Sequence, residues 1–204
     1  MHLIADQLYH IYNQGNNREA IFREREDYLH FLHKFRAMVF PNGNLLSYCL
    51  MPNHFHFLFE TTPRSIEKIR IGSLEVARLS NAFRLLLSEY AQEFNQKYKR
   101  SGSLFRQRTK GKYIKERNHA LLCFHYIHQN PVKAHLVPKL EDWEFSSFQD
   151  YLGERRGTLC QKELAYRSLD LCPKTFYNDS YEIISEHIFN DLCLEKRTKI
   201  DLRW

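Results

Sequence analysis

The pattern of apolar and polar positions predicts strands and helices that alternate along the first part of the chain. Apolar, aromatic and β-branched runs between turn residues predict strands, whereas apolar positions three and four apart predict helices. The elements predicted in this part are a strand near 8–13, a turn at 14–17, a helix near 25–39, a turn at Pro41-Asn42-Gly43, and paired strands at 45–51 and 55–61.

The same pattern predicts a largely helical second part. The predicted elements are a helical region over 65–99 that Gly72 and Ser73 could interrupt, a short strand near 103–105 or 111–114, and a helix over 118–130. Pro131 is expected to end this last helix, because the residue before a proline is disfavoured in the helical conformation.

The order of these elements predicts an α+β fold. We expect an antiparallel sheet with helices packed mainly on one face. The apolar run at 181–194 predicts one more helix in a C-terminal extension that begins near residue 153.

Two histidines, His54 and His56, flank Phe55 where the second of the paired strands begins. Side chains alternate between the faces of a strand, so both imidazoles are expected on one face. Imidazole is a frequent metal ligand, and two on one face make half of a metal site. Ordinary hydrogen-bonded histidines also occur in this arrangement, so a second element is needed to choose between the two interpretations.

Tyr126 and Asn130 lie four residues apart in the helix predicted over 118–130, and therefore on one helix face. A tyrosine can act as a nucleophile, and an amide oxygen one turn away can complete the site of a hard cation. A core tyrosine above an asparagine that ends the helix has the same spacing. The residues alone leave both interpretations open.

Five blocks of sequence, taken in order, resemble the single-tyrosine HUH transposases, and specifically the REP-associated tyrosine transposases. They are YHIYNQGNNREAIF (9–22), MPNHFHFLFE (51–60), GSLFRQRTKGKYI (102–114), YIHQNPVKAHLV (126–137) and DWEFSSFQDYL (142–152). A lone His-x-His would be a weak signal. Five ordered blocks over about the first 150 residues make the resemblance specific.

The resemblance implies a role for each residue of the two candidate elements. His54 and His56 are similar to the paired ligands of a divalent metal, with Mg²⁺ or Mn²⁺ implied, and Asn130 stands where the family has its third ligand. Tyr126 is similar to the family's nucleophile. The implied activity is cleavage and rejoining of single-stranded or hairpin DNA, such as repetitive extragenic palindromes, through a 5′-phosphotyrosine intermediate.

The resemblance also implies a domain organisation and a partner. Residues 1–152 correspond to a ferredoxin-like or RRM-like HUH catalytic domain, and residues 153–204 are an unmatched extension that packs on the core or contacts DNA. Lys133-Ala134-His135 replaces the Arg-x-Gly often found in the family, which leaves the local phosphate contacts open. The REP-associated group is generally monomeric, so the resemblance favours a monomer over a dimer. Two alternatives remain: a metal-dependent nuclease that uses activated water, and a domesticated hairpin-binding protein without turnover.

The distribution of charge supports a nucleic-acid partner. The chain has 30 Lys and Arg against 24 Asp and Glu, a net charge of +6, yet residues 97–117 alone contain nine basic residues and one acidic residue. Basic residues that follow phosphates, with aromatic residues between them, are typical of single-strand or hairpin binders. The residues predicted to contact DNA are Phe105, Arg106, Arg108, Lys110, Lys112 and Lys115.

Length and composition limit the remaining possibilities. The 204 residues, 43% of them hydrophobic, suffice for one core domain with an extension. No run of 18 apolar residues and no signal-peptide pattern occurs, so we expect no membrane partner and a cytoplasmic, nucleoid-associated protein. Five scattered cysteines predict reduced thiols rather than a disulfide framework.

Overall fold

The computed structural model describes residues 1–182 and residue 184. Within this part the chain forms, in order, β1 (Leu8–Gln14), α1 (Arg25–Met38), β2 (Asn44–Met51), β3 (His54–Glu60), α2 (Pro63–Ile66), β4 (Lys68–Ile71), β5 (Leu74–Ala77), α3 (Arg78–Lys97), β6 (Lys110–Ile114), α4 (Arg117–Lys133), α5 (Phe148–Leu152), α6 (Lys162–Leu169) and α7 (Phe176–Tyr181).

A four-stranded antiparallel sheet forms the centre of the molecule. Its strands lie in the order β2-β3-β1-β6, and every neighbouring pair is antiparallel. With α1 and α3 they follow the chain order β-α-β-β-α-β, which is the ferredoxin-like arrangement. The predicted α+β class with an antiparallel sheet is confirmed.

One face of this sheet is covered by α1 and α3 through a layer of aromatic rings. Phe55 and Phe57 of β3 point to this face and are fully buried. The ring centroid of Phe35 in α1 lies 4.7 Å from that of Phe57, and that of Phe83 in α3 lies 6.0 Å from it. Burial of such large rings supplies much of the hydrophobic free energy of a domain, so this layer holds the sheet and the two helices together.

The opposite face of the sheet carries the histidines and is covered by α4. Tyr12, His56 and Cys49 are in register across β1, β3 and β2, so their side chains share this face. α4 packs against β2 and β3. The sheet therefore has α1 and α3 on one face, as predicted, and one further helix on the other.

The chain after α4 continues along the β2 edge of the sheet. Ser146 forms an isolated antiparallel bridge with Cys49, and the N–H of Leu50 donates to the carbonyl of Phe145 at 2.9 Å. Beyond it, α6 and α7 both pack against α4. The helix predicted within 181–194 falls almost wholly outside the described residues.

The helix predicted over 65–99 is wrong in its first part. Residues 68–77 form the two-stranded hairpin β4–β5, in which Lys68 is in register with Ala77 and Ile71 with Leu74. Gly72 has φ +60°, a left-handed conformation that glycine adopts without the steric cost of a side chain. A two-residue turn with glycine in this conformation is typical of hairpins, so Gly72 turns the chain rather than breaking a helix.

The predicted end of the tyrosine helix is also wrong. α4 continues through Pro131 to Lys133, three residues beyond Asn130. The N–H groups of Ala134 and His135 then donate to Asn130 and Val132, which completes the last turn. The side chain of Asn130 donates to the Ile127 carbonyl, which Pro131 leaves without its helical donor, so the helix tolerates the proline.

Two further properties concern the described part of the chain. None of its helices combines the length and the apolar composition that crossing a bilayer requires. Its four cysteines, Cys49, Cys123, Cys160 and Cys172, are free thiols.

Candidate metal and tyrosine site

The two histidines of β3 meet on the face that α4 covers. The ring centroids of His54 and His56 are 4.9 Å apart and the rings are nearly perpendicular. His56 is buried, whereas His54, at the start of the strand, is partly exposed. Alternation along the strand places both rings on one side, and the structure confirms this expectation.

Each histidine uses its Nδ1 atom in a hydrogen bond. Nδ1 of His54 lies 2.5 Å from Oδ1 of Asn53, an acceptor, so Nδ1 carries the proton and Nε2 keeps its lone pair. Nδ1 of His56 lies 2.8 Å from Nε2 of His10, which is in the neighbouring strand and 1% exposed. When His56 donates this bond, its Nε2 also keeps a lone pair. Both imidazoles can therefore offer Nε2 to a cation.

Burial keeps these imidazoles neutral. It lowers the pKa of His54 to about 4, and burial with His54 and His10 as neighbours holds the pKa of His56 well below its ordinary value. A neutral imidazole is the form that binds a metal, so the pair is in the ligand state at neutral pH without competition from protons.

Tyr126 lies on α4, next to the histidine pair. Its ring centroid is 6.2 Å from that of His56, and the two rings meet edge to face. Nζ of Lys133, seven residues further along α4, lies 4.8 Å from the centroid of the Tyr126 ring and donates to the carbonyl of Ile184 at 2.9 Å. The packing of α4 on β3 thus places the predicted nucleophile next to His56, one of the predicted metal ligands.

Asn130 is oriented by the backbone of its own helix. Its Nδ2 donates to the carbonyl of Tyr126 at 2.9 Å and to that of Ile127 at 3.3 Å. Pro131 has no N–H, so the carbonyl of Ile127, four residues earlier, would otherwise lose its helical partner. The amide thus repairs the helix with its nitrogen end, and its oxygen end is the one that can serve a cation.

The donor set of this site fits a divalent cation. The atoms that could hold it are Nε2 of His54, Nε2 of His56 and Oδ1 of Asn130, a mixed nitrogen and oxygen set that accepts Mg²⁺, Mn²⁺ or Zn²⁺. Among the described residues no cluster of three or more His, Cys, Asp and Glu side chains offers a competing site. Asn53 and His10 orient the two imidazoles. Sequence spacing gives no signal for Asn53, whereas His10 could be suspected from its place in the neighbouring strand.

Eight of the nine basic residues of the segment 97–117 fall into two groups with different surroundings in the folded chain. Lys97, Arg100 and Arg117 form ion pairs with described carboxylates of other elements. The five cations predicted to contact DNA form no such pair with any described acidic residue, and most are exposed: Arg106, Arg108, Lys110, Lys112 and Lys115. Their charge remains available for phosphates, and their DNA-binding role stays a prediction.

The position of Phe105 corrects its predicted role. It is 7% exposed, and its ring centroid lies 6.1 Å from that of Tyr90 and 6.3 Å from that of Phe55. An isolated antiparallel bridge to Gly15 fixes the backbone at this point. The ring belongs to the core between the sheet and α3, so it offers no open face on which a base could stack.

The histidines on either side of Tyr126 have structural surroundings. Nδ1 of His125 lies 2.9 Å from Oγ of Ser180, and Nε2 of His128 lies 2.7 Å from Oγ of Ser147. Both imidazoles are buried. These hydrogen bonds to serines of later segments give both histidines a structural role.

Comparison with known proteins gives two informative matches. The chain is 31% identical over 103 residues to a protein of Haemophilus influenzae named "Putative REP-associated tyrosine transposase". It also superposes with a TM-score of 0.53 and 18% identity on a REP-associated tyrosine transposase solved bound to a REP hairpin, covering 78% of this chain and 87% of that one. The resemblance to the REP-associated tyrosine transposases is confirmed.

The two matches cover different shares of the chain. The sequence match covers 49% of this chain and 56% of the Haemophilus protein, so the chain spans little more than half of that relative. The structural match establishes that the REP-associated tyrosine transposase fold extends over most of the chain. No family model matches the chain.

Proposed function

We propose that this chain is a transposase-like enzyme of the REP-associated tyrosine transposase type. It cleaves and rejoins single-stranded or hairpin DNA with Tyr126 as nucleophile, and it requires a divalent metal ion. The observation that carries the proposal is the juxtaposition of Tyr126 with His56, ring centroid to ring centroid at 6.2 Å. The sequence and fold matches to REP-associated tyrosine transposases support DNA processing of this kind.

The reaction follows from the chemistry of a phenol beside a phosphodiester. Oη of Tyr126 attacks the phosphorus, a bond forms between them, and the bond from phosphorus to the 3′-oxygen breaks. The phenolic proton is transferred away and a proton ends on the released 3′-hydroxyl. The product is a 5′-phosphotyrosyl strand, whose bond energy is kept for rejoining, so no nucleotide cofactor is consumed.

The remaining residues prepare this step. His54, His56 and Asn130 would hold Mg²⁺ or Mn²⁺, which when bound supplies positive charge that polarises the scissile phosphate. Asn53 and His10 hold the imidazole rings in place by hydrogen bonds to Nδ1. Pro131 and Asn130 fix the last turns of α4, and with them the direction in which the amide oxygen can act.

Denaturing electrophoresis with a labelled hairpin oligonucleotide tests the proposal. We expect a covalent protein–DNA adduct that depends on Mg²⁺ or Mn²⁺ and is absent in Tyr126→Phe. Tyr177→Phe is the matched control, because Tyr177 is 44% exposed on α7 and its hydroxyl contacts Glu141. Cleavage without an adduct would instead identify a nuclease that uses water, and binding without cleavage would identify a hairpin-binding protein that has lost turnover.

A further inference from the structure

The tyrosine helix α4 is bonded along one face to the chain at and after the end of α7. The side chains of α4 that make these bonds recur every four residues: His125, Gln129 and Lys133. Nδ1 of His125 lies 2.9 Å from Oγ of Ser180. Nε2 of Gln129 donates to the carbonyl of Ser180 at 2.8 Å and to that of Glu182 at 2.7 Å. Nζ of Lys133 donates to the carbonyl of Ile184 at 2.9 Å.

These bonds form a regular series, which we call the seam. Side chains four residues apart on a helix are separated by about 6 Å along its axis. Their partners Ser180, Glu182 and Ile184 are two residues apart, and two residues of extended chain span about 6.6 Å. The backbone at Glu182 is extended, with φ −61° and ψ 131°. The two spacings match, so the seam residues follow α4 in the same direction towards its C-terminal end.

Lys133 joins the seam to the candidate nucleophile. Positions 126 and 133 are about two turns apart, so Tyr126 and Lys133 lie on one face of α4. Helical side chains lean towards the N-terminus, which brings the stem of Lys133 back towards Tyr126. Nζ of Lys133 lies over the Tyr126 ring, 4.8 Å from its centroid, while it donates to the carbonyl of Ile184. A cation in this position is attracted to the aromatic face.

The Tyr126 ring therefore has a neighbour in each of two directions. His56 of β3 meets it edge to face, and Lys133 lies over it. Tyr126 and Lys133 are both only partly buried, so close packing alone does not fix the phenol. Orientation of a nucleophile matters to the rate, because a misplacement of about 1 Å can slow a reaction about 100-fold.

We propose that Lys133 positions the Tyr126 phenol for attack on the phosphodiester, and that the seam holds Lys133 in place. Lys133 takes no part in the bond changes and acts through Tyr126, so it is a positioning residue. The C-terminal extension then contributes to the reaction without touching DNA. This inference rests on the proposed function and adds to it a role for the chain beyond α7.

Single-turnover adduct formation at saturating hairpin DNA, with Mn²⁺ present, tests the role of Lys133. Lys133→Met keeps an unbranched stem and removes the charge, so it should slow adduct formation about tenfold. Fluorescence anisotropy should find hairpin affinity within about twofold of wild type, because no phosphate contact is lost. Lys133→Arg should keep most of the rate, since a guanidinium also stacks on a ring and donates hydrogen bonds. Lys174→Met is the matched control, an exposed lysine just before α7.

A double variant tests whether the seam acts through Lys133. Gln129→Leu removes the donor to Ser180 and Glu182 at similar size and leaves Lys133 in the chain. It should slow adduct formation on its own and have no further effect in Lys133→Met, because both changes release the same ring. Losses that multiply in the double variant would overturn the role given to the seam. Ser180→Ala, which removes the hydroxyl bonded to His125, repeats the test if Gln129→Leu lowers the melting temperature.

The outcomes separate the positioning role from the proposed function. An unchanged rate in Lys133→Met, or a loss that saturating hairpin DNA restores, would overturn the inference, since restoration would make Lys133 a DNA contact. A wild-type chain that forms no adduct would count against the proposed function instead.

Nuclear magnetic resonance then decides the inference without any reaction. In a chain with isotope-labelled tyrosine rings, the signal that disappears in Tyr126→Phe belongs to Tyr126. This signal should shift in Lys133→Met and also in Gln129→Leu, where Lys133 is still present but no longer held. A Tyr126 signal that stays in place in Gln129→Leu would overturn the link from the seam to the nucleophile.

Discussion

His10 Nε2 lies 2.8 Å from His56 Nδ1, and the two buried imidazoles stack with their ring planes 18° apart. The bond crosses from β1 to β3, so the orientation of a candidate metal ligand is set by the neighbouring strand. His10 itself is held by stacking on Tyr12, with ring centroids 4.8 Å apart. The sheet thereby fixes the orientation of the His56 ring, which would reduce the free-energy cost of forming the proposed metal site.

Replacing His10 tests this positioning role directly. His10→Ala should weaken Mn²⁺ binding about 10- to 100-fold, because loss of a hydrogen bond to a metal-ligating histidine frees its ring to rotate. Isothermal titration calorimetry with Mn²⁺ measures the affinity without any DNA. His10→Gln, which can still bond to Nδ1 of His56, should recover part of it.

A matched control for His10 is His33→Ala, since His33 is exposed on α1. Unchanged Mn²⁺ affinity in His10→Ala, in a protein that remains folded by circular dichroism, would show that His56 needs no support from β1.

The bond between Asn130 and Ile127 predicts an energetic coupling with Pro131. Asn130→Ala should cost about 1–3 kcal/mol of folding free energy, because two helix carbonyls lose a donor in a buried setting. In a Pro131→Ala background the backbone N–H at position 131 returns to the Ile127 carbonyl, so the same change should cost less. Urea unfolding of the wild-type chain, the two single variants and the double variant gives the coupling free energy between the two positions, expected at about 0.5–1 kcal/mol.

Mn²⁺ binding separates the structural role of Asn130 from its proposed role as a metal ligand. Asn130→Ala should weaken Mn²⁺ binding in both backgrounds, because Pro131→Ala repairs the helix but supplies no oxygen ligand. In the unfolding experiment, a double variant whose loss of stability equals the sum of the losses in the two single variants would show that the Asn130 amide does not compensate for the proline.

Burial of His125 predicts a loss of stability in mild acid. Burial lowers its pKa to about 4, partly offset by the charge of nearby Asp179, whereas the unfolded chain takes up the proton near pH 6.5. Above pH 6.5 His125 is neutral in both the folded and the unfolded chain, so it costs no stability there. As the pH falls from 6.5 to 4, the unfolded chain takes up the proton first and the free energy of unfolding decreases by about 3 kcal/mol. His125→Gln should show a flatter stability profile in this window, measured by urea unfolding at several pH values.

The profile of a second variant gives the baseline for this comparison. His33→Gln changes an exposed histidine on α1 and should reproduce the wild-type slope. Buried His128, which bonds to Ser147, also has a pKa well below its ordinary value and adds to the slope of every variant that keeps it. A wild-type slope in His125→Gln would contradict the assignment of proton uptake to this residue.

The division of the basic segment predicts different effects for neighbouring arginines. Arg108→Ala should reduce the slope of log K against log salt by about one for hairpin binding, because one phosphate contact is lost. Arg100→Ala should leave that slope unchanged, since Arg100 is bonded to Glu19 at 2.5 Å and to Asn95 at 2.8 Å. Fluorescence anisotropy titrations between about 50 and 200 mM salt distinguish the two variants. Equal salt slopes for Arg108→Ala and Arg100→Ala would contradict this division of the basic segment.

Much of the fold could be predicted because its strands and helices have long, regular patterns. The apolar run around His54 and His56 is buried on both faces and is bounded by turn residues, so β3 and its partner β2 were predicted within a residue or two. The pairing of Tyr126 with the histidines followed from family resemblance, since periodicity places the phenol on a helix but gives no distance to a strand 70 residues earlier.

The errors arose where short patterns compete with tertiary contacts. In residues 68–77, Ile69, Ile71, Leu74 and Val76 satisfy strand alternation on either side of the turn, yet the run is short and merges with the helical pattern that follows. Phe105 stands among charged residues, and only the fold shows that it turns inward against Tyr90. Pro131 is tolerated because of a side-chain bond that no propensity describes.

The proline within α4 has an evolutionary consequence. At position 130 a side chain must be as short as asparagine to donate to the Ile127 carbonyl and also present an oxygen. A longer amide would reach past that carbonyl. Substitution at one of the two positions should therefore be accompanied by substitution at the other. Related chains with a different residue at position 130 are expected to have lost the proline as well.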